Sequence, residues 1–313
     1  MPDAPQLAAS YAHCSRVARG AARNFYYGFL LLPRAKRDAL CAVYAFMRHA
    51  DDISDSPGDA TQKRERLAAW RAALDRALDG EYDRNPVWPA FHHTVARYAI
   101  PPRYFHDLIS GTEMDLSVTS YATFDRLREY CYRVAGTVGL VCLHVFGFRD
   151  PRACDLAEKL GIAFQLTNIL RDVPRDLAMG RVYLPEEDLE RFRCREEDLA
   201  GGTVTPGVIE LMRFEAQRAW EFYADGVELL SLVSADSRAA LWALVRIYSG
   251  ILEKIEARGY DVFSSPRIGL SPAEKTWIMV RAWLGWWPQD DALEERDRDR
   301  RGVGGALLRR RTG

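Results

Sequence analysis

Two groups of carboxylates are the side chains best placed to do chemistry. Asp51-Asp52-Ile53-Ser54-Asp55 closes an apolar stretch over 39–50. On a helix Asp51 and Asp55 share a face, and like charges at that spacing repel by about 0.2–0.5 kcal/mol, more where water is partly excluded. Either solvation at a helix end or a divalent cation offsets this. Magnesium takes oxygen ligands, keeps some of its waters and shares a substrate's phosphate oxygens, so one or two carboxylates per ion suffice. The flanking residues favour the cation: Tyr44, Arg48, Asp51, Asp52 and Asp55 step by three and four along one face. An aromatic, a cation and carboxylates together suit neither a plain core nor a plain surface. Arg48 either salt-bridges an aspartate or takes a phosphate oxygen, for which its planar fork is suited. His49 lacks the neighbouring ligands that a phosphohydrolase metal site needs.

The second group lies in Gln165-Leu166-Thr167-Asn168-Ile169-Leu170-Arg171-Asp172-Val173-Pro174-Arg175-Asp176. Gln165, Asn168, Asp172 and Asp176 step by three, four and four, and Leu166, Ile169, Leu170 and Val173 take the opposite side. Pro174 is expected to kink or loosen this helix. Two acidic stripes, each ending an apolar helix, fit a metal cluster closed across a diphosphate from two walls. The helix interiors then supply apolar depth for a hydrocarbon chain.

The elements that must position these groups are helical. Apolar residues recur every three to four positions, as in Leu67, Trp70, Leu74 and Leu78 within a helix expected over 64–78. Other helices are expected over 33–54, 104–118, 124–146, 153–179, 205–231 and 237–258. Turn chemistry separates them at Ser56-Pro57-Gly58, Asn85-Pro86, Pro101-Pro102, Asp150-Pro151, Gly201-Gly202 and Ser265-Pro266. No repeat or composition shift divides the chain. One helical domain is expected over 1–288, followed by a charged, disordered tail over 289–313. A contact of that tail with anionic lipid is the minority reading.

The 313 residues are 48% apolar, enough for a sizeable core. A formal net charge of −1 supplies no global field toward nucleic acid, so bound anions must be held by local charge or metal. The six cysteines form no C-x-x-C pair and no zinc-ligand spacing, and read as buried free thiols of a reducing cytosol. No signal peptide is apparent, and the apolar stretch over 25–33 is too short to span a bilayer. A cytoplasmic protein, soluble or peripheral to the membrane, is expected.

The chain resembles the squalene and phytoene synthase family, the trans head-to-head prenyl transferases, over about 11–283. The landmarks stand in order: Asn24-Phe25-Tyr26-Tyr27 with Leu32-Pro33, the segment 44–55, and Gly111-Thr112-Glu113-Met114-Asp115. Tyr130-Cys131-Tyr132-Arg133-Val134-Ala135-Gly136-Thr137-Val138-Gly139 follows. Then come the segment 165–176, Gly180-Arg181-Val182-Tyr183-Leu184-Pro185, and Tyr260-Asp261-Val262-Phe263. Paired aspartate motifs also occur in chain-elongating prenyl transferases and terpene cyclases; the blocks at 130–139 and 168–172 are far more specific. Asn24 stands where many members carry serine, with Ala22 nearby. Ser264-Ser265-Pro266 puts Arg267 two places later than the arginine many members carry.

The resemblance implies an all-α, isoprenoid-synthase-type bundle around a central apolar cavity. It implies Asp51, Asp52 and Asp55 as the first metal motif and Asp172 and Asp176 as the second, with Asn168 and Gln165 beside it. Arg48, Arg171 and Arg175 become candidates for holding phosphate or the aspartates. Phe25, Tyr44, Tyr130, Val134, Gly139, Leu166 and Tyr248 match cavity-lining positions, against a plainer reading as ordinary core. Ring faces stabilise an allylic cation much as they do ammonium. Gly136 and Gly139 cost about 1 kcal/mol each against alanine in a helix, which close approach of substrate or of another helix would explain. The implied cofactor is magnesium, with manganese as an alternative. No Gly-rich nucleotide fingerprint is present, so an NADPH site is not readable.

The implied reaction ionises one prenyl diphosphate, joins it to a second through a cyclopropane, ionises again and traps the final cation with water, hydride or proton loss. The diphosphate or a tyrosine serves as base. Farnesyl diphosphate, giving presqualene diphosphate and squalene-type C30 products, is the first expectation, and phytoene synthesis from geranylgeranyl diphosphate the second. A head-to-tail elongase or terpene cyclase comes third, and a non-catalytic scaffold relative is the alternative of another class. Implied partners are the prenyl diphosphates, a membrane surface for product release, and downstream isoprenoid enzymes.

Overall fold

The apolar spacings of the sequence become helices at nearly every expected place. The computed structural model describes residues 3–21, 24–202 and 204–286. The helices are α1 (Ala4–Ala21), α2 (Phe25–Leu30), α3 (Arg34–Asp55), α4 (Ala60–Leu78), α5 (Trp88–Arg97), α6 (Arg103–Met114), α7 (Phe124–Cys131), α8 (Thr137–Phe146), α9 (Arg152–Ala178), α10 (Glu186–Arg191), α11 (Glu196–Ala200), α12 (Pro206–Gly226), α13 (Leu229–Leu232), α14 (Ala235–Ala257) and α15 (Pro272–Trp283), with a π turn over Tyr132–Gly136 joining α7 to α8. Among the described residues there is no strand, only isolated bridges of Ser120 with Val182 and Phe148 with Val233. No described helix is long and apolar enough to cross a membrane. The segment 289–313 and Ala22 lie outside the described residues.

The expected single helix over 124–146 is interrupted by the π turn, whose extra residue per turn changes which side chains face inward. The helix expected over 205–231 ends at Gly226 and resumes as α13, and that over 104–118 stops at Met114. α9 runs on through Pro174 and ends four residues later, at Ala178, so the proline loosens the helix near its end without breaking it.

α9 is the central helix, packed by α12, the π turn, α8 and α14, while α3 packs against α1 and α5. An aromatic cluster ties α3, α4, α5 and α6 together. Phe46 stacks on Phe91 at 4.6 Å and on Trp70 at 5.3 Å, and meets Phe105 edge-on at 5.3 Å. Such pairs add about 0.5–1.5 kcal/mol each beyond burial. Where α8 and the π turn cross α9, backbone meets backbone. A Cβ at Gly139 would lie 2.3 Å from the Ala157 carbonyl oxygen, and one at Gly161 would lie 2.3 Å from that of Ala135. A neighbouring helix therefore explains Gly139. Five of the six cysteines are buried and all are free; burial pushes the Cys142 thiol up to about 12.

α10 is held on α12 by a buried ionic cluster. Arg218 donates at 2.8 Å to Asp188 and to both carboxylate oxygens of Glu215, and the two acids are only 3% and 2% exposed. Burial, with Asp188 adding and Arg218 opposing, pushes Glu215 from 4.5 up to about 8. A carboxyl raised on folding stabilises the fold below its unfolded value, and that contribution is lost as pH rises through the folded value. Glu215→Gln should therefore match wild type at pH 4, below the unfolded value, and be more stable at pH 9, by an amount on the order of a few kcal/mol. Urea unfolding midpoints at the two pH values check this; an equal shift at both would rule it out.

Candidate active site

The helices enclose a cavity of about 310 Å³ whose chemistry changes along its walls. α3 contributes Leu40, Val43, Tyr44, Met47 and Asp51, passing from apolar to acidic over a rise of about 16 Å. α9 repeats the pattern from Ala157 and Leu160 through Phe164 to Gln165 and Asn168. Phe146, Leu229, Leu241 and Leu244 contribute apolar wall. The cavity thus has polar groups toward one end and an apolar interior.

Asp115, at the end of α6, lies between the two aspartate groups and lines the cavity with Asp51. Asp51 opens into the cavity yet is ringed by protein. Burial, then the charges of Asp55, Asp115 and Asp52 against Arg48, push its carboxyl from 3.8 up to about 7. Asp176 rises to about 7 through burial and the charges of Asp172 and Asp115, against Arg175 and Arg181. Asp115 is itself raised, chiefly by burial. Asp115 thus lies within electrostatic reach of both motifs, but of these acids only Asp51 and Asp115 line the cavity, while Asp176 lines a separate small hollow with Arg181 and Tyr183. Tyr183 donates to Asp115 at 2.9 Å and Tyr130 at 3.3 Å, and Arg181 donates to its backbone carbonyl at 2.9 Å. Burial and Asp115 hold the Tyr130 phenol well above its ordinary value, so it stands protonated.

Asp52 and Asp172 are paired. Arg48 bridges Asp52 at 2.6 Å. Arg171 and Arg267 each grip Asp172 with two nitrogens, at 3.0 and 2.6 Å and at 2.6 and 2.6 Å. Burial would raise Asp172, but the two guanidinium groups outweigh it and hold its carboxyl below the usual value. Asp55 is exposed on the last turn of α3, and Arg175 is exposed beside Asp176.

Of the residues expected on the cavity wall, Phe25, Tyr44, Tyr130, Val134, Gly139, Gln165 and Asn168 line it. Leu166 does not: 2% exposed, it sits in the core on the other side of α9 from Gln165 and Asn168. Tyr248 stands one layer back, stacked at 4.4 Å on Phe164, which takes the wall position. Asp115, Arg181, Tyr183 and Arg267 belong to the site without having been singled out as such. The first three lie inside the family landmarks at 111–115 and 180–185, and Arg267 is the displaced arginine after the one at 260–263.

Among the described residues no three His, Cys, Asp or Glu side chains converge closely enough to hold an ion by themselves. The donor set still suits a cation that shares its shell with a substrate. Hard carboxylate oxygens of both motifs lie within electrostatic reach of Asp115, and Asp51 and Asp176 lack enough positive charge around them to ionise at their ordinary values.

The cavity, with acids and aromatic rings on its walls, lies inside an all-helical bundle. The squalene/phytoene synthase family model matches residues 18–274, and the chain belongs to that family. It is 40% identical over 268 residues to a phytoene synthase of Arthrospira platensis, covering 82% of this chain and 86% of that protein. The crystal structure of a dehydrosqualene synthase in complex with ligand superposes with a TM-score of 0.83 at 30% identity, over 90% of this chain and 99% of that one. A squalene synthase from Alicyclobacillus acidocaldarius superposes with a TM-score of 0.77 at 32% identity, over 83% and 97%.

Proposed function

We propose that the chain condenses two geranylgeranyl diphosphates head to head to phytoene, releasing two diphosphates. The observation that carries the choice of C20 substrate is the likeness to phytoene synthases at 38–40% identity, against 30–32% for the C30-forming enzymes of known structure. The farnesyl reading expected from the sequence becomes the second reading, favoured by the superposition on a dehydrosqualene synthase. A scaffold role is disfavoured because both carboxylate sets are retained.

In this reading Asp51, Asp52, Asp55, Asn168, Asp172 and Asp176 would hold magnesium, or manganese in its place, which would supply charge neutralisation for the diphosphates. Arg48, Arg171 and Arg267, now paired with aspartates, would take arriving phosphate oxygens by exchanging partners, and Arg175, exposed beside Asp176, would take them directly. The apolar walls keep water from the allylic cation, and the ring faces of Phe25, Tyr44 and Phe164 stabilise it. Tyr130 is protonated, so the departing diphosphate is the better base for closing the cyclopropane. A final proton loss balances the reaction without a reductant, so NADPH has no role. The hydrocarbon product partitions into lipid, which favours work at a membrane surface and hand-over to later isoprenoid enzymes.

The test is incubation of the purified protein with C15 or C20 diphosphate, with magnesium or chelator, and with or without NADPH, followed by mass spectrometry of extracted lipid. A C40 hydrocarbon from the C20 substrate alone is expected, abolished by chelator and restored by magnesium. C30 products from the C15 substrate, with no turnover of the C20 one, would reverse the substrate assignment.

A further inference from the structure

Exposed apolar side chains are concentrated on α15 and the three residues that follow it. Seven large hydrophobics are exposed among the described residues, and five lie between 277 and 286: Trp277 at 56%, Val280 at 39%, Trp283 at 77%, Leu284 at 52% and Trp286 at 63%. Leu30, at the end of α2, is 45% exposed, and α2 meets α15 where Lys275 lies over the Tyr27 ring at 5.3 Å. Single exposed apolar residues need no explanation, but a contiguous set marks an interaction surface.

The composition of the face says what it meets. From Lys275 to Trp286 the charged residues are Lys275 and Arg281, and there is no acid. Glu274, the acid before them, is taken up by Ser271 and by Lys254 at 2.7 Å. Lys275 lies over the Tyr27 ring and Arg281 over the Trp242 ring, so the cations share the segment of the exposed indoles without covering them. Exposed indoles and cations in one segment, with no carboxylate among them, are the chemistry of the headgroup region of an anionic bilayer, where an amphipathic ring finds both its environments. A helix lying in that plane presents one apolar face to lipid and packs the other. Here the packed face is Ala282 with Ile278 and Met279 against Trp242 and Ala243 of α14.

The position of the face relative to the cavity gives it a purpose. Leu241 and Leu244 of α14 and Phe29 of α2 line the apolar part of the cavity. Trp242, Ala243 and Leu31, their neighbours in sequence, belong to the small core under α15. α2 sits directly on α14, since a Cβ at Gly28 would lie 2.7 Å from Leu244. One layer of helix therefore separates the apolar end of the cavity from the tryptophan face.

We infer that the outer face of α15, with Leu30, is the surface by which the protein lies on an anionic lipid bilayer, bringing the apolar end of its cavity beside the membrane. The purpose, though not the surface, rests on the proposed release of a hydrocarbon. The full chain is mixed, without substrate, with vesicles of phosphatidylcholine alone or with phosphatidylglycerol, and sedimented. Brominated lipid is used to quench tryptophan emission. The wild type should sediment with the anionic vesicles and be quenched. The triple variant Trp277→Ser, Trp283→Ser, Trp286→Ser should bind at least tenfold more weakly and lose the quenching, with its activity on detergent-dispersed substrate unchanged. Met179→Ser, at an exposed residue outside this face, should bind like wild type. Wild-type protein left in the supernatant, or a triple variant that binds equally, overturns the inference. So does a variant whose only change is from dimer to monomer, which would make the face a subunit contact. Binding without any prenyl condensation would sink the catalytic reading alone, and condensation without binding would sink this surface alone.

Discussion

Asp51→Asn and Asp172→Asn are expected to lower turnover alike, on the order of 10²–10³-fold, and to move stability in opposite directions. Both remove a charge from the site where diphosphate must be neutralised, so both lose the chemical step. Their surroundings differ. Asp51 is raised to about 7 by burial and by neighbouring carboxylates, so in metal-free protein above pH 7 its ionised form costs stability. Solvent in the open cavity screens much of that cost, leaving about 1 kcal/mol. Asp51→Asn should recover it at pH 8 and make no difference at pH 4, where the carboxyl is protonated in the folded state. Asp172 is gripped by Arg171 and Arg267, and its loss should cost about 1.5–3 kcal/mol at pH 8. Melting curves in chelator at the two pH values, beside steady-state rates with magnesium, check both halves. Wild-type turnover in either variant would return these aspartates to the role of solvated helix ends.

Gly161→Ala should destabilise the fold by about 1–3 kcal/mol and reduce activity with it. The added methyl would meet the Ala135 carbonyl oxygen at 2.3 Å and the Gly136 Cα at 2.9 Å. Neither is a side chain that can turn aside, so α9 and the π turn must part, and both carry cavity wall. Gly20→Ala is the control: nothing lies within 4 Å of its Cβ position near the end of α1, and the change should be neutral or slightly stabilising. Urea midpoints of the two variants decide the matter. A neutral Gly161→Ala would mean that the two backbones are not in contact.

The two acidic stripes were legible because helix geometry is local. A period of 3.6 residues puts Asp51 with Asp55, and Gln165 with Asn168 and Asp172, on common faces whatever else the chain does. Helix ends were legible where turn residues mark them, as at Ser56-Pro57-Gly58, and less so within 124–146, where the π turn is marked only by Gly136 at its end. Six helices were not anticipated: α2, α5, α10 and α11, at most ten residues long and too short for an apolar period to declare itself, and also α1 and α15, which at 18 and 12 residues were long enough to be read and were missed.

Sequence by itself determined the helical class, the polar stripes and the family likeness, all of which rest on residue type and near-neighbour spacing. The tertiary structure decided what each stripe faces. It put Asp115 between the two motifs, and it brought Arg267 onto Asp172 across 95 positions of sequence. It chose Gln165 over Leu166, and Phe164 over Tyr248, for the cavity wall. It also showed that Gly139 serves a helix crossing. The physical reason is that a helix fixes the angles between its own side chains but not its rotation about its axis. That rotation is set by packing against helices distant in sequence, where a missing Cβ at Gly139 or Gly161 matters as much as any side chain present.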